Sequence, residues 1–235
     1  MFRAAKQNRI FQDVVQQIQE AILQGQLKVG DQLPAERKLI EMFGVSRGTL
    51  REALRVLEQK GLIEIRTGVA GGSIVKGVTS DQLSENLGLL IRSNQVPLQD
   101  LAEFRTGLDG IVAALASERA TAEELAELQQ LLSEAGRLCL RGKDAWDDFL
   151  RIDEQIHLKL ARMSGNQLYL TVLETVYFNI HTYYERFLPF DDHIIKENLE
   201  DLQALVDAVV RHDATAARAL AIEHVNRFAG HMTKR

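Results

Sequence analysis

Three observations predict a mainly α chain in two parts: a small N-terminal head of three helices and a β-hairpin, then an all-α bundle of six or seven helices. At 235 residues the length suits two domains. Apolar residues recur at helical spacing along nearly the whole chain, and only 3 prolines interrupt them. Two short period-two runs, separated by clustered glycines, lie together near residues 63–76, and nothing after them reads as strand. With 46% hydrophobic and 26% charged residues the chain can build a sizeable core, which excludes a disordered protein.

The net charge of −5 hides a division. Residues 1–78 carry 12 Lys and Arg against 8 Asp and Glu, a net of +4, whereas residues 79–235 carry 16 against 25, a net of −9. All 6 histidines lie beyond residue 150. A basic head on an acidic, histidine-bearing body points to an anionic partner for the head alone. The single cysteine, Cys139, excludes a disulfide framework and a Cys-based zinc site, and it fits a reducing, cytoplasmic setting. Apolar runs such as 111–116 are far too short to span a membrane. The basic start Met1-Phe2-Arg3-Ala4-Ala5-Lys6 is not followed by the apolar segment of a secretion signal.

Within the head, Val14, Val15, Ile18, Ala21 and Ile22 mark a first helix over 12–23 that ends near Gly25. Pro34 suits the first position of a second helix, where its missing N–H costs nothing. Leu39, Ile40, Met42 and Phe43 supply that helix's core face, and Gly44 stops it. After Val45, Ser46 caps a third helix, on which Leu50, Ala53, Leu54 and Leu57 form one apolar stripe. Gly61 ends it. Two helices joined by so tight a turn form a helix-turn-helix, whose second helix enters the major groove of DNA by its first turn. Ser46, Arg47, Gly48, Thr49 and Arg51 stand at that turn. Arg can bond guanine bidentately, Thr can meet a phosphate or a thymine methyl, and Gly48 leaves room for close backbone approach. Ile63-Glu64-Ile65-Arg66 and Ser73-Ile74-Val75-Lys76 then flank a glycine-rich turn that opens with Thr67 and Gly68. Its tip can lie along a sugar–phosphate backbone. The unit is a winged helix-turn-helix, and its partner is double-stranded DNA.

These residues carry a family resemblance. Leu33-Pro34-Ala35-Glu36-Arg37-Lys38-Leu39, then Phe43-Gly44-Val45-Ser46-Arg47-Gly48-Thr49-Leu50-Arg51-Glu52-Ala53-Leu54, with Leu57, Gly61-Leu62 and the wing, resemble the GntR family of bacterial transcription regulators. The resemblance implies that Arg37, Arg47 and Arg51 contact operator DNA and that Gly68 lets the wing tip reach the minor groove. The wing is longer and richer in glycine than the family's simplest form.

After the polar joint Gly77-Val78-Thr79-Ser80, periodicity predicts helices near 81–93, 98–118, 122–140, 144–163, 167–187, 190–211 and 214–232, with breaks at Pro97, Gly165-Asn166 and Pro189. On the second of these, Leu101, Phe104, Leu108, Val112 and Leu115 form the core stripe, with Arg105 beside it. A buried guanidinium needs a partner. Asp109, one turn on, supplies one in the first reading; in the second, Arg105 receives the carboxylate of a small bound acid through paired N–H bonds. On helix 144–163, Asp153 and His157 flank the stripe Phe149, Ile152, Ile156 and Leu160. His224 sits mid-stripe among Ala217, Ala221, Val225 and Phe228. One carboxylate and two imidazoles turned into a bundle suit a divalent metal such as Zn²⁺, Ni²⁺ or Mn²⁺. In the alternative, Asp153 and His157 pair with each other and His224 satisfies a buried hydrogen bond.

Tyr169, Tyr177, Tyr183 and Tyr184 either donate phenol hydroxyls into such a pocket or pack with Phe178 and Phe187. Cys139 reads as a packed thiol, and His181, His212 and His231 as surface or helix-end residues. No nucleophile elbow or glycine-rich phosphate loop is present. A metal-dependent enzyme would therefore rest on Asp153, His157 and His224 with no evident general base. A third reading makes the body a ligand-free dimerisation module.

The helix order, with Asp153-Glu154-Gln155-Ile156-His157 and then Ser164-Gly165-Asn166, is similar to the FadR-type branch of the family, whose helical ligand-sensing module is the FCD domain. The resemblance implies that Arg105, Asp153, His157 and His224 face an effector cavity. It also implies that Asp153, His157 and His224 match the metal ligands of metal-binding members. Those members carry a further His on the preceding helix; here that position is Leu202, and Asn198 and His193 are the conceivable substitutes. The function implied is a repressor whose hold on DNA is relieved by a small organic acid. A head of net charge +4 binds one half-site weakly, so the expected form is a homodimer on a palindromic operator.

Overall fold

The computed structural model describes residues 8–68, 71–77, 81–93 and 95–233. The chain divides into two compact units, Met1–Gln82 and Leu83–Arg235, each with its own hydrophobic core. Among the described residues no helix is long and apolar enough to cross a membrane.

The first unit runs α1 (Asn8–Leu23), α2 (Glu36–Phe43), α3 (Arg47–Gln59), β1 (Ile63–Arg66) and β2 (Gly72–Val75). The expected stripe of α3 is realised in full: Leu50, Ala53, Leu54 and Leu57 are buried against Val14, Val15 and Ile18 of α1. Gly44 ends α2 in the left-handed conformation at φ 63° and donates its N–H to the Ile40 carbonyl, a geometry that strains any residue with a Cβ. Ser46 caps α3, its hydroxyl accepting the Thr49 N–H at 3.1 Å. The strands pair antiparallel, with Ile63 opposite Val75 and Arg66 opposite Gly72.

Two expectations for α2 are corrected. The helix begins at Glu36 with Ala35 as its N-cap, so Pro34 precedes the helix instead of opening it. The cause lies upstream. Gln32 bridges to Ile74, and Leu33 donates its N–H to the Ser73 carbonyl at 2.8 Å, which holds the chain extended along the edge of β2 as far as Leu33. Met42, expected in the core, is 62% exposed, because in eight residues α2 buries Leu39 and half-buries Ile40 and Phe43.

The second unit contains α4 (Asp81–Arg92), α5 (Leu98–Arg119), α6 (Ala122–Arg141), a short 3-10 turn (Gly142–Ala145), α7 (Trp146–Met163), α8 (Gln167–Phe187), α9 (Asp192–Val210) and α10 (Ala214–Thr233). Helix starts are chemically marked. Thr121 and Glu124 form a reciprocal capping box at α6, while Asn166 and Asp191 cap α8 and α9. Helix α5 is central, packing on α7, α8, α9 and above all α10.

That central position overturns the expected face of α5. Phe104 is 42% exposed, and Leu108 and Leu115 are half-buried. The buried line is Leu101, Arg105, Asp109, Val112, Ala113 and Ala116. A helix surrounded by others buries polar residues wherever they find partners, so its hydrophobic pattern misplaces the inner face. Of the joint, Val78, Thr79 and Ser80 lie outside the described residues, as do Val69 and Ala70 of the wing.

Candidate nucleic-acid interface and buried polar cluster

The first turn of α3 presents Arg47, Gly48 and Arg51 to solvent, with Thr49 half-buried. The Ser46 and Thr49 hydroxyls lie 2.8 Å apart and are tied to each other as well as to the cap. Both arginines share one carboxylate: the Nε atoms of Arg51 and Arg47 stand 3.1 and 3.7 Å from Glu36 Oε2. Their side chains are nonetheless 53% and 70% exposed, so the guanidinium groups are steadied and not enclosed. Sequence spacing carries no signal for Glu36, because the contact arises where α2 crosses α3. Arg37 projects almost wholly into solvent, with Glu41 3.8 Å from its Nε. Thr67 and Gly68 are exposed at the start of the wing turn, and Gly68 adopts φ 109°.

In the second unit, Arg105, Asp109, Asp153, His157 and His224 are all at most 3% exposed and form one cluster. Arg105 donates from Nη2 to the Tyr177 hydroxyl at 2.8 Å and from Nη1 to the Tyr184 hydroxyl at 3.5 Å. Its Nε lies 3.6 Å from Asp109 Oδ2 and has no hydrogen-bond partner. The Tyr177 hydroxyl donates to Asp109 at 3.1 Å, and His157 Nδ1 faces Asp109 Oδ1 at 3.4 Å. His224 Nε2 stands 3.5 Å from Asp153 Oδ1, and its Nδ1 stands 3.7 Å from Asp201 Oδ2. Asp201 in turn accepts from Arg227 at 2.7 Å. The rings stack in sequence, Tyr177 on His157 on His224 on Phe228, with centroid separations of 5.2, 5.1 and 6.3 Å.

These contacts decide several open readings. The Arg105–Asp109 pair exists, yet the same guanidinium also engages two tyrosines, so partner and pocket are not exclusive. His157 pairs with Asp109 rather than with Asp153, as both residues on α7 turn toward different helices. Tyr177 and Tyr184 aim their hydroxyls into the cluster, whereas Tyr183 donates to the Val96 carbonyl at 2.8 Å. Phe178 is 74% exposed, while the Phe187 ring lies tilted against Tyr183 with centroids 6.4 Å apart. Cys139 is half-buried, and burial pushes its thiol pKa up. His231 stands at a helix end, in the last turn of α10, where its ring is part-buried against Glu197. His193 is exposed and stands away from the cluster's interior, whereas Asn198 is 3% exposed. Sequence reasoning missed Asp201, although it adjoins Leu202, one of three positions on α9 singled out.

The electrostatics favour charge despite burial. Burial pushes the Asp109 carboxyl up, but His157, Arg105 and Tyr177 outweigh it and hold the pKa below the ordinary value. Asp153 follows the same logic, with His224 and His157 outweighing its burial. Burial opposes a charge on His224, yet Asp153 and Asp201 together raise its pKa to about 9.

Asp153, His157 and His224 offer ligand atoms that all lie within 4.8 Å of one another. The donor set fits a divalent cation on a further ground. His157 is backed by Asp109, leaving Nε2 without a partner, and His224 is backed by Asp201. A carboxylate behind an imidazole orients the ring and raises its basicity as a metal ligand. Leu202 is fully buried in the hydrophobic core and offers no donor. The crevice beside His224, between Ile194, Asn198, Asp201 and Phe228, is too narrow to admit a water-sized molecule. A cleft of about 420 Å³ lies elsewhere, lined by Trp146, Arg151, His181 and Phe190, and shares Tyr184 with the cluster.

A winged helix-turn-helix with an exposed basic first turn, on a chain whose larger helical unit encloses a charged cluster, defines a class: DNA-binding transcription regulators. Comparison with known proteins agrees. The model of bacterial regulatory proteins of the gntR family matches residues 11–71, and that of the FCD domain matches residues 100–227. The chain belongs to the gntR family and carries an FCD domain. A Uxu operon regulator of Haemophilus influenzae is 28% identical over 224 residues, spanning 93% of this chain and 80% of that protein. An Exu regulon transcriptional regulator of Escherichia coli is 27% identical over 221 residues, spanning 92% and 82%. The solved structure of a Streptococcus agalactiae GntR protein superposes with a TM-score of 0.68 at 26% identity, covering 94% of this chain and 99% of that one. The enzyme alternative falls away, since the family and these relatives are transcription regulators.

Proposed function

We propose that this regulator is a cytoplasmic repressor that binds a palindromic operator as a homodimer and releases it when a small organic acid enters the FCD domain. Residues 1–78 form the DNA-binding domain and residues 79–235 the effector-binding and dimerisation domain. Arg37, Arg47 and Arg51 contact DNA, with Gly48, Thr49, Thr67 and Gly68 allowing close approach and Ser46 fixing the recognition turn. In the body, Arg105 receives the effector's carboxylate beside a Zn²⁺, Ni²⁺ or Mn²⁺ ion held by Asp153, His157 and His224. A bound cation would supply a positive centre for a second carboxylate oxygen.

The observation that carries this reading is the Arg105 guanidinium, buried and charged, whose Nε faces Asp109 at 3.6 Å and makes no hydrogen bond. Such a donor is costly unless a ligand completes it. The tight packing around His224 adds the coupling: an acid enters only if helices shift, so binding favours a different body conformation.

The test begins by selecting the operator from random duplex DNA and measuring binding by fluorescence anisotropy. Arg47→Ala or Arg51→Ala should each cost about 1–3 kcal/mol of specific affinity. Normal operator affinity in both variants would overturn the recognition-turn assignment. A panel of carboxylic acids should weaken the wild-type complex but not that of a folded Arg105→Lys variant, which keeps the charge and loses the fork. A body that is purely structural predicts no acid response in either protein.

A further inference from the structure

Asn198 is the strangest residue in the body. It sits on α9, one turn before Leu202, is 3% exposed, and neither its Oδ1 nor its Nδ2 has a hydrogen-bond partner. An amide that loses both partners on burial is expensive, and an aliphatic side chain would fill this core position at lower cost. Leu202 shows that the same helix face accepts an aliphatic residue, since it is completely buried in the hydrophobic core. Asn198 also borders the narrow crevice it shares with Asp201 and His224, which places it on the side of α9 that faces His224. The crevice is also lined by Ile194, Glu197, Arg227, Phe228 and His231, and none of them makes a hydrogen bond to its amide.

We propose that Asn198 is the fourth protein contact of the metal site, its amide oxygen replacing the imidazole that Leu202 cannot supply. This rests on the reading of Asp153, His157 and His224 as metal ligands. The change has a chemical consequence. Two imidazoles, a carboxylate and an amide oxygen make a harder donor set than three imidazoles and a carboxylate. Carbonyl oxygen suits Mn²⁺, whereas imidazole suits Zn²⁺ and Ni²⁺. This chain therefore has a smaller preference for Zn²⁺ over Mn²⁺ than a site with the histidine restored. The unpaired Nδ2 remains free to donate to an effector oxygen held on the ion.

The experiment uses the full chain, stripped with a chelator and titrated calorimetrically with Mn²⁺ and Zn²⁺ separately. Asn198→Ala should weaken Mn²⁺ binding by at least about tenfold. Asn198→Asp, which places a full charge on the same atoms, should restore or tighten it. Leu202→His should tighten Zn²⁺ more than Mn²⁺. Substituting Co²⁺ gives a readout that a packing role would not move: its visible absorption bands should shift between wild type and Asn198→Ala. Unchanged affinity and an unchanged Co²⁺ spectrum in Asn198→Ala, beside loss of binding in His157→Ala, would overturn the role of Asn198 and leave the three-residue site standing. If the wild type binds neither ion, the metal site itself is wrong and this inference falls with it.

Discussion

Replacing Arg105 by Ala should destabilise the helical body by about 3 kcal/mol, and the structure supplies the reasoning. Breaking a buried ion pair by removing one partner costs about 3–5 kcal/mol, because a charge is left without compensation. Arg105 and Asp109 are 3% and 2% exposed, with Nε and Oδ2 3.6 Å apart, so the pair qualifies as buried. Asp109 would not be wholly abandoned: the Tyr177 hydroxyl at 3.1 Å and His157 at 3.4 Å remain, which places the loss at the lower end of the range. The double change Arg105→Met with Asp109→Leu removes both charges. What it leaves without these partners is the Tyr177 and Tyr184 hydroxyls and one nitrogen of His157, at a cost of about 1–3 kcal/mol. The double variant should therefore be no less stable than Arg105→Ala, and far from the sum of the singles. Urea unfolding can be followed by the chain's single tryptophan, Trp146, which packs edge-on against Phe190 at 5.6 Å and reports the body alone. A loss under about 1 kcal/mol for Arg105→Ala, or strict additivity in the double variant, would refute the claim that this pair organises the core.

Three further outcomes are expected. Glu36→Gln releases the Arg47 and Arg51 Nε atoms from their shared carboxylate; binding to random DNA should rise with the added net charge while the ratio of operator to random affinity falls, and an unchanged ratio in anisotropy titrations would show that Glu36 positions nothing. At Gly110 an added Cβ would meet Ile222 Cγ1 at 2.8 Å, so Gly110→Ala should overpack the α5–α10 contact and cost about 1–3 kcal/mol; a melting curve identical to wild type would contradict the close approach. His224 is held at about pH 9 against an ordinary 6.5, so its contribution to the metal-free body is complete below pH 6.5 and is lost as the pH rises through 9. Urea midpoints of wild type should fall over that window and those of His224→Gln should not; parallel profiles would sink the assignment.

Local chemistry made the head legible. The Ser46 cap, the stop at Gly44 and the Leu50, Ala53, Leu54, Leu57 stripe depend on residues within a turn or two of each other, and all stand where spacing placed them. Pro34 failed because its surroundings are set by a strand forty residues later, through Gln32 and Leu33 against β2. Glu36 escaped because its partners, Arg47 and Arg51, stand on another helix. In the body, helix boundaries fell close to expectation since caps and prolines mark them locally. The inner face of α5 did not. Phe104 looks like core by composition, but a central helix takes its inside from the partners that surround it, and Arg105 is turned inward by Tyr177, Tyr184 and Asp109.

The amino-acid order by itself determined two domains, the winged helix-turn-helix, the basic first turn of α3, and the cluster's residues Arg105, Asp109, Asp153, His157 and His224. These follow from periodicity, capping and charge, which act over short stretches of chain. Tertiary structure decided the pairing: His157 with Asp109 instead of Asp153, Asp201 behind His224, both Arg47 and Arg51 on Glu36, and Asn198 buried without a partner. Each of these joins side chains from different helices. A buried charge is stable only beside its complement, and which complement it meets is fixed when the helices pack.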